Sequence, residues 1–97
     1  MDFSGQTVVV VAKDQVSCDV SGEVAILNLK SGLYFGLDLL GTQVWKLLQK
    51  PLRVAEIQET VLREYEVEPE QCERDLKTLL ENLFNEGLIE VREGPSL

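Results

Sequence analysis

Apolar residues cluster in short runs over the first third of the chain and recur at helical spacing over the rest. Thr7-Val8-Val9-Val10-Val11 is a run of β-branched residues, whose restricted side-chain rotation favours the pleated state, and it predicts a first strand. Glu23-Val24-Ala25-Ile26-Leu27-Asn28-Leu29 follows Ser21-Gly22, and Leu33-Tyr34-Phe35-Gly36-Leu37 follows Lys30-Ser31-Gly32, so these segments predict a hairpin of a second and a third strand. In that hairpin Leu27 and Leu29 are expected to share a face with Leu33, Phe35 and Leu37, with Val24, Ile26 and Tyr34 on the other. Both faces are then apolar and both need cover. Helices supply it on one side; on the other stands an interaction surface, a second copy or the chain ends.

Three helices follow. Leu40, Val44, Leu47 and Leu48 mark the first, over 39–49, which Pro51 ends or bends. Val54, Ile57, Val61, Leu62 and Tyr65 mark the second, with Glu56, Glu59 and Arg63 as its solvated face. Pro69 suits the first turn of the third, where Cys72, Leu76, Leu79, Leu80 and Leu83 form an apolar stripe up to Gly87, a C-terminal cap. Leu88-Ile89-Glu90-Val91 predicts a short final strand, and Gly94-Pro95-Ser96-Leu97 is expected to fray. With no internal repeat and no Gly/Ser-rich linker, residues 1–97 read as one α+β domain with an ordered core over about 6–92. Its architecture is winged helix-turn-helix-like: an N-terminal three-stranded antiparallel sheet followed by three helices.

Charge removes the commonest use of that architecture. The 97 residues carry a formal net charge of −8, a field that repels phosphate backbones and anionic membranes and favours a basic or apolar peptide. The third helix sets Glu70, Glu73, Asp75, Glu81 and Glu86 against Arg74 and Lys77, the wrong balance for a DNA groove, so no nucleic-acid partner is expected. A chain this short also buries a small share of its surface, and a partner would add to its stability.

Catalytic chemistry finds no footing. Histidine is absent, and with it the commonest general base and imidazole ligand. Cys72 lies on the apolar stripe as a small buried hydrophobe, and Cys18 stands in a loop beside Asp19, which disfavours its thiolate. The two are far apart in sequence, and free intracellular thiols explain them at least as well as a disulfide. Glu56, Glu59 and Glu66 are solvated acids rather than a dyad, and Gly32, Gly36 and Gly41 lack the Lys and Ser/Thr of a phosphate loop. Trp45 is assigned to the core. No catalytic residue, metal ligand or cofactor is expected. Met1-Asp2-Phe3-Ser4-Gly5 lacks the pattern of a secretory signal, and the longest apolar run, Val8 to Ala12, falls far short of the roughly 20 residues of a membrane helix, so a cytoplasmic protein without membrane contact is expected.

The strings Gly22-Glu23-Val24-Ala25-Ile26-Leu27-Asn28, Ser31-Gly32-Leu33-Tyr34-Phe35-Gly36-Leu37-Asp38 and Gly41-Thr42-Gln43-Val44-Trp45 resemble the PqqD-like family, the peptide-recognition elements of ribosomal-peptide (RiPP) biosynthesis. The resemblance continues through Ile57, Leu62, Tyr65, Asp75, Leu76, Leu79, Leu80, Leu83, Gly87 and Leu88, and Asp38 stands where the family often has Asn. Within the family the SGLYFGL string looks most like the free-standing leader-binding proteins of lasso-peptide biosynthesis. The resemblance implies a non-catalytic binder that captures a precursor's leader and presents it to a separate cysteine protease, the leader peptidase, ahead of an ATP-dependent macrocyclase. A peptide chaperone for a quinone-cofactor or other radical-enzyme pathway is the alternative within the family, and a winged-helix regulator the alternative outside it. Binding is expected by β-augmentation: a leader strand pairs with the third predicted strand, Leu33, Tyr34, Phe35, Gly36 and Leu37, with Tyr34 near a groove beside the third helix. Asp75, Leu76, Leu79, Leu80 and Leu83 are the helix candidates, several of which must also build the core. A free strand edge equally suits a second copy, so a monomer or weak dimer is expected.

Overall fold

The computed structural model describes residues 3–92. In chain order it contains β1 (Val8–Val11), β2 (Gln15–Val20), β3 (Glu23–Asn28), β4 (Tyr34–Gly36), α1 (Leu39–Leu47), β5 (Leu52–Arg53), α2 (Val54–Glu64), α3 (Pro69–Asn85) and β6 (Ile89–Arg92). The α+β class and the three helices stand as the sequence predicts, and the strands form two antiparallel three-stranded sheets, β5-β1-β6 and β2-β3-β4. The tail Gly94-Pro95-Ser96-Leu97 lies outside the described residues.

The N-terminal sheet differs in membership from the expectation. The valine run of β1 does not join the hairpin; it is the central strand of the other sheet, between β5 and β6, where Val9 and Val10 are both buried. A strand without a polar face needs cover on both sides, and the middle of a packed sheet supplies it. Its place beside β3 is taken by Gln15–Val20, the segment read as a loop around Cys18. There the apolar and polar residues alternate on an exposed edge strand, a weak signal without a buried face. Ser21 at φ 56° and Gly22 at φ 92° close the β2–β3 hairpin with two successive positive φ angles, the geometry that matches the twist of paired strands.

The β3–β4 hairpin forms where predicted, one residue out of the expected register. Ile26 pairs with Phe35 and Leu27 with Tyr34, so Phe35 shares the inner face with Val24 and Ile26 while Tyr34 and Leu27 share the outer one. The predicted pairing held Leu29 in the strand. In the structure Asn28 ends it, its amide bonded to the Leu33 carbonyl at 2.9 Å. A shift of one residue exchanges every side chain between faces.

The helices cover only the inner face. Trp45, Val44 and Leu48 of the α1 region meet Ile57, Leu76, Leu80 and Leu88 in the core, and Cys72 is buried among them as the helical stripe predicts. Phe3 joins this core, its ring edge-to-face with Phe84 at 6.1 Å. Asp38 caps α1 by accepting from the Gly41 amide at 2.8 Å, the role open to Asn or Asp at that position. At the end of α3 the Leu88 amide reaches the Leu83 carbonyl and the Gly87 amide the Phe84 carbonyl, a Schellman closure made possible by Gly87 at φ 72°.

Candidate peptide-binding site

β4 pairs with β3 along one edge, and among the described residues nothing pairs with the other. Leu33 accepts from Asn28 and Leu37 donates to Val24, so with Ile26 opposite Phe35 the odd residues of this segment turn their backbone groups toward β3. Alternation along an antiparallel strand then turns the N–H and C=O of Tyr34 and Gly36 outward, unpaired. That is the backbone pattern an added strand requires.

Beside this edge runs α3. Phe35, Gly36 and Leu37 on one side and Leu79, Asn82, Leu83 and Glu86 on the other line a cleft of 320 Å³, which Leu88 and Asp38 complete. It continues past Leu79 into a more polar hollow of 420 Å³ bordered by Asp38, Leu40, Asp75, Thr78 and Asn82. An apolar floor with Asp38, Asp75 and Glu86 at its rim suits a peptide whose apolar side chains are flanked by basic ones. The two walls are tied at one end by Asn28: its Oδ1 accepts from the Lys30 and Ser31 amides at 2.9 and 3.2 Å, while its Nδ2 donates to the Glu86 carbonyl at 2.8 Å.

The structure divides the residues singled out in the sequence. Phe35, Gly36, Leu37, Leu79 and Leu83 come together at the cleft, and Asp75 lines its extension. Leu76 and Leu80 are buried in the core and line neither hollow. Tyr34 is 72% exposed and its ring lies on the outer face of the sheet, so its nearness to the groove is corrected to a backbone one. Leu33, 56% exposed, precedes the strand. Asp38, Asn82, Glu86 and Leu88 also line the cleft and are not among the candidates singled out in the sequence. Asp75, Leu79, Asn82 and Glu86 follow one another at i+4, i+3 and i+4, and that spacing was the available signal of a single helix face. A larger hollow of 540 Å³, between Lys13, Asn28, Lys30 and Ile89, lies beside β6, the edge strand of the other sheet, and away from the Phe35–Leu79–Leu83 cleft.

No group of three metal-ligating side chains occurs among the described residues, and no helix there is long and apolar enough to cross a membrane.

An open strand edge beside an apolar helix face, on a small α+β scaffold, defines a PqqD-like RiPP recognition element. The chain belongs to the family of coenzyme PQQ synthesis protein D (PqqD), whose profile matches residues 23–89. Among solved structures it resembles TbiB1 in complex with the TbiA(beta) leader peptide, at 36% identity and a TM-score of 0.78 over 91% of this chain and 99% of that one. A lasso peptide synthetase B1 complexed with the leader peptide shares the fold, with a TM-score of 0.75 at 22% identity over 84% of this chain and 96% of that one. No curated protein matches the chain.

Proposed function

We propose that this chain recognises the leader region of a ribosomally made precursor peptide, a lasso-peptide precursor in the first place, and delivers it to a leader peptidase and an ATP-dependent macrocyclase without catalysing a reaction itself. The observation that carries the reading is the outward backbone of Tyr34 and Gly36 beside the Phe35–Leu79–Leu83 cleft, in a chain 36% identical to a protein solved with its leader peptide. A leader strand added to β4 exchanges main-chain hydrogen bonds with Tyr34 and Gly36, which supplies affinity. Its alternate side chains enter the cleft, which supplies specificity. Asp75 and Asp38 meet basic leader residues at the rim. Cytoplasmic residence accords with these partners.

The family profile also favours a second reading, in which the same edge serves as peptide chaperone in a quinone-cofactor or other radical-enzyme pathway. A labelled leader from the neighbouring precursor gene, titrated by fluorescence anisotropy with and without excess duplex DNA, tests the proposal. Saturable submicromolar binding indifferent to DNA supports it, since a micromolar complex corresponds to about 8 kcal/mol. No binding up to tens of micromolar, with binding of the other pathway's precursor, transfers the function to the second reading.

A further inference from the structure

The β2-β3-β4 sheet has a second edge, and it is unguarded. β2 is six residues long and exposed beyond Gln15, and it carries no Lys, no Pro and no bulge, the devices that keep edge strands from pairing with one another. The edges of the other sheet are protected: β5 is two residues long and follows Pro51, and β6 alternates Glu90 and Arg92 with its apolar residues. The single charge of β2, Asp19, turns to the helix side of the sheet and meets Lys46 of α1 at 3.7 Å. On the opposite face Val16 and Val20 are 54% and 57% exposed, with Cys18 between them.

The ladder to β3 fixes which backbone groups this edge offers. Asp14 accepts from Leu29 at 3.0 Å, so alternation turns the N–H and C=O of Val16, Cys18 and Val20 toward β3 and those of Gln15, Ser17 and Asp19 outward. Among the described residues nothing pairs with them. The strand that fits them best is β2 itself. Two copies laid antiparallel about Cys18 bring the outward groups of Ser17 and Asp19 into mutual pairing. Val16 then opposes the partner's Val20 and Cys18 the partner's Cys18 on one face, while Ser17 sets its hydroxyl against the partner's Asp19 on the other. Neighbouring registers are worse. A slide of two residues one way opposes Asp19 to the partner's Asp19, and a slide of two the other way opposes Val20 to the partner's Asp14. A slide of one residue mismatches the backbone groups.

We propose that β2 is the docking edge for a second copy of this chain, paired antiparallel about Cys18 into a six-stranded sheet that ends in two open β4 edges. Copy and cargo then use opposite edges, so the dimer offers two leader sites and the leader does not compete with it. The contact stands without the leader-binding reading; the count of two sites rests on it. Each chain brings a net charge of −8 to a contact one strand wide, so the dimer is weak. Salt strengthens it, because screening relieves that repulsion while the paired edge holds no ion pair between copies to lose.

Analytical ultracentrifugation of the full chain, kept reduced, is expected to show a monomer–dimer equilibrium that tightens from about 0.1 to about 1 M NaCl. Ser17→Pro removes an outward N–H and spares the ladder to β3, so the fold is expected to persist, with self-association weakened about tenfold or more and leader affinity unchanged. The unaltered protein supplies a second readout. Residues opposed at this kind of site stand about 4.5 Å apart between Cα atoms, within disulfide reach, so diamide is expected to link Cys18 to the partner's Cys18 and spare the buried Cys72. A chain monomeric up to about 1 mM overturns the proposal, as does a dimer in which Cys18 stays unlinked, one that salt dissociates, or one that a folded Ser17→Pro variant forms as well as the parent. A dimer that the leader dissociates also overturns it, by assigning the second copy to β4. Leader anisotropy in the same samples separates this inference from the function: a dimer that binds no leader overturns the function and leaves the contact, and a leader bound by a strict monomer overturns the contact alone.

Discussion

The main-chain amide of Val24 donates to the hydroxyl of Thr42, 2.9 Å away and 18 residues further along the chain. Both residues are buried, and the bond ties the start of β3 to the first turns of α1 across the β4 segment. The Val24 carbonyl accepts from Leu37 at 2.8 Å, so this one residue of β3 holds both the end of the β4 segment and the helix after it.

Thr42→Val keeps the shape and leaves that amide without a partner. An orphaned buried donor costs about 1–3 kcal/mol, which in a domain of this size lowers the melting temperature by several degrees. Thr42→Ser, which retains the hydroxyl, is expected to lose less. Thermal unfolding followed by circular dichroism checks both, and a Val variant as stable as the parent would show that the bond contributes nothing.

Tyr34→Pro removes a donor that faces the open edge and spares the ladder to β3, which runs through Leu33, Phe35 and Leu37. Proline is tolerated on edge strands in that position, so the fold is expected to persist. Leader affinity falls about tenfold, the equivalent of one lost main-chain hydrogen bond of about 1 kcal/mol together with its neighbour's disturbed geometry. Unchanged affinity in a folded variant would remove Tyr34 from the pairing edge.

Leu79 and Leu80 are adjacent in sequence and opposite in role. Leu79 is half-buried on the cleft wall, and Leu80 is fully buried in the core. Leu80→Ala is expected to cost about 2–5 kcal/mol of stability in urea titrations. Leu79→Ala should cost much less and show itself in leader affinity. Equal stability losses would place both side chains in the core.

Burial first, and the nearby charge of Asp75 second, push the Cys72 thiol above its ordinary value of 9.0. The folded protein therefore holds this proton more tightly than the unfolded chain does. The associated stability is fully present below about pH 9 and declines as pH rises from there through the folded-state pKa. Urea midpoints between pH 8 and pH 10 are expected to fall, and Cys72→Ala to flatten that slope. In native protein a thiol reagent should titrate Cys18 alone, with Cys72 reacting on unfolding.

The helices were legible because their apolar stripes are long and their ends are marked: Pro69 opens α3, and Gly87 closes it with a positive φ that any other residue would strain to adopt. The β4 edge strand was also legible as a segment, from the SGLYFGL string. Its facing was not, because the register turns on whether Leu29 or Asn28 ends β3, and the polar Asn28, which bonds Lys30, Ser31 and Glu86, outweighs the apolar Leu29 there. β2 escaped notice for a related reason. Val16, Cys18 and Val20 alternate with polar residues as a strand should, yet none of them is buried. Leu76 and Leu79 share a sequence stripe, and only the packing of α3 against the core decides that one is interior and the other faces the cleft.

Asn28 acts as a hinge pin. It fastens the turn before β4 to the Glu86 carbonyl that caps α3, so the two jaws of the cleft share one fixed end near Glu86 and, among the described residues, have no such fastening toward Asp38 and Asp75. The bulk a peptide can present is therefore graded along its length: strictly limited where the jaws are pinned, and progressively more permissive toward the acidic mouth. Under the proposed function, one end of the leader is read closely and the other is free to vary.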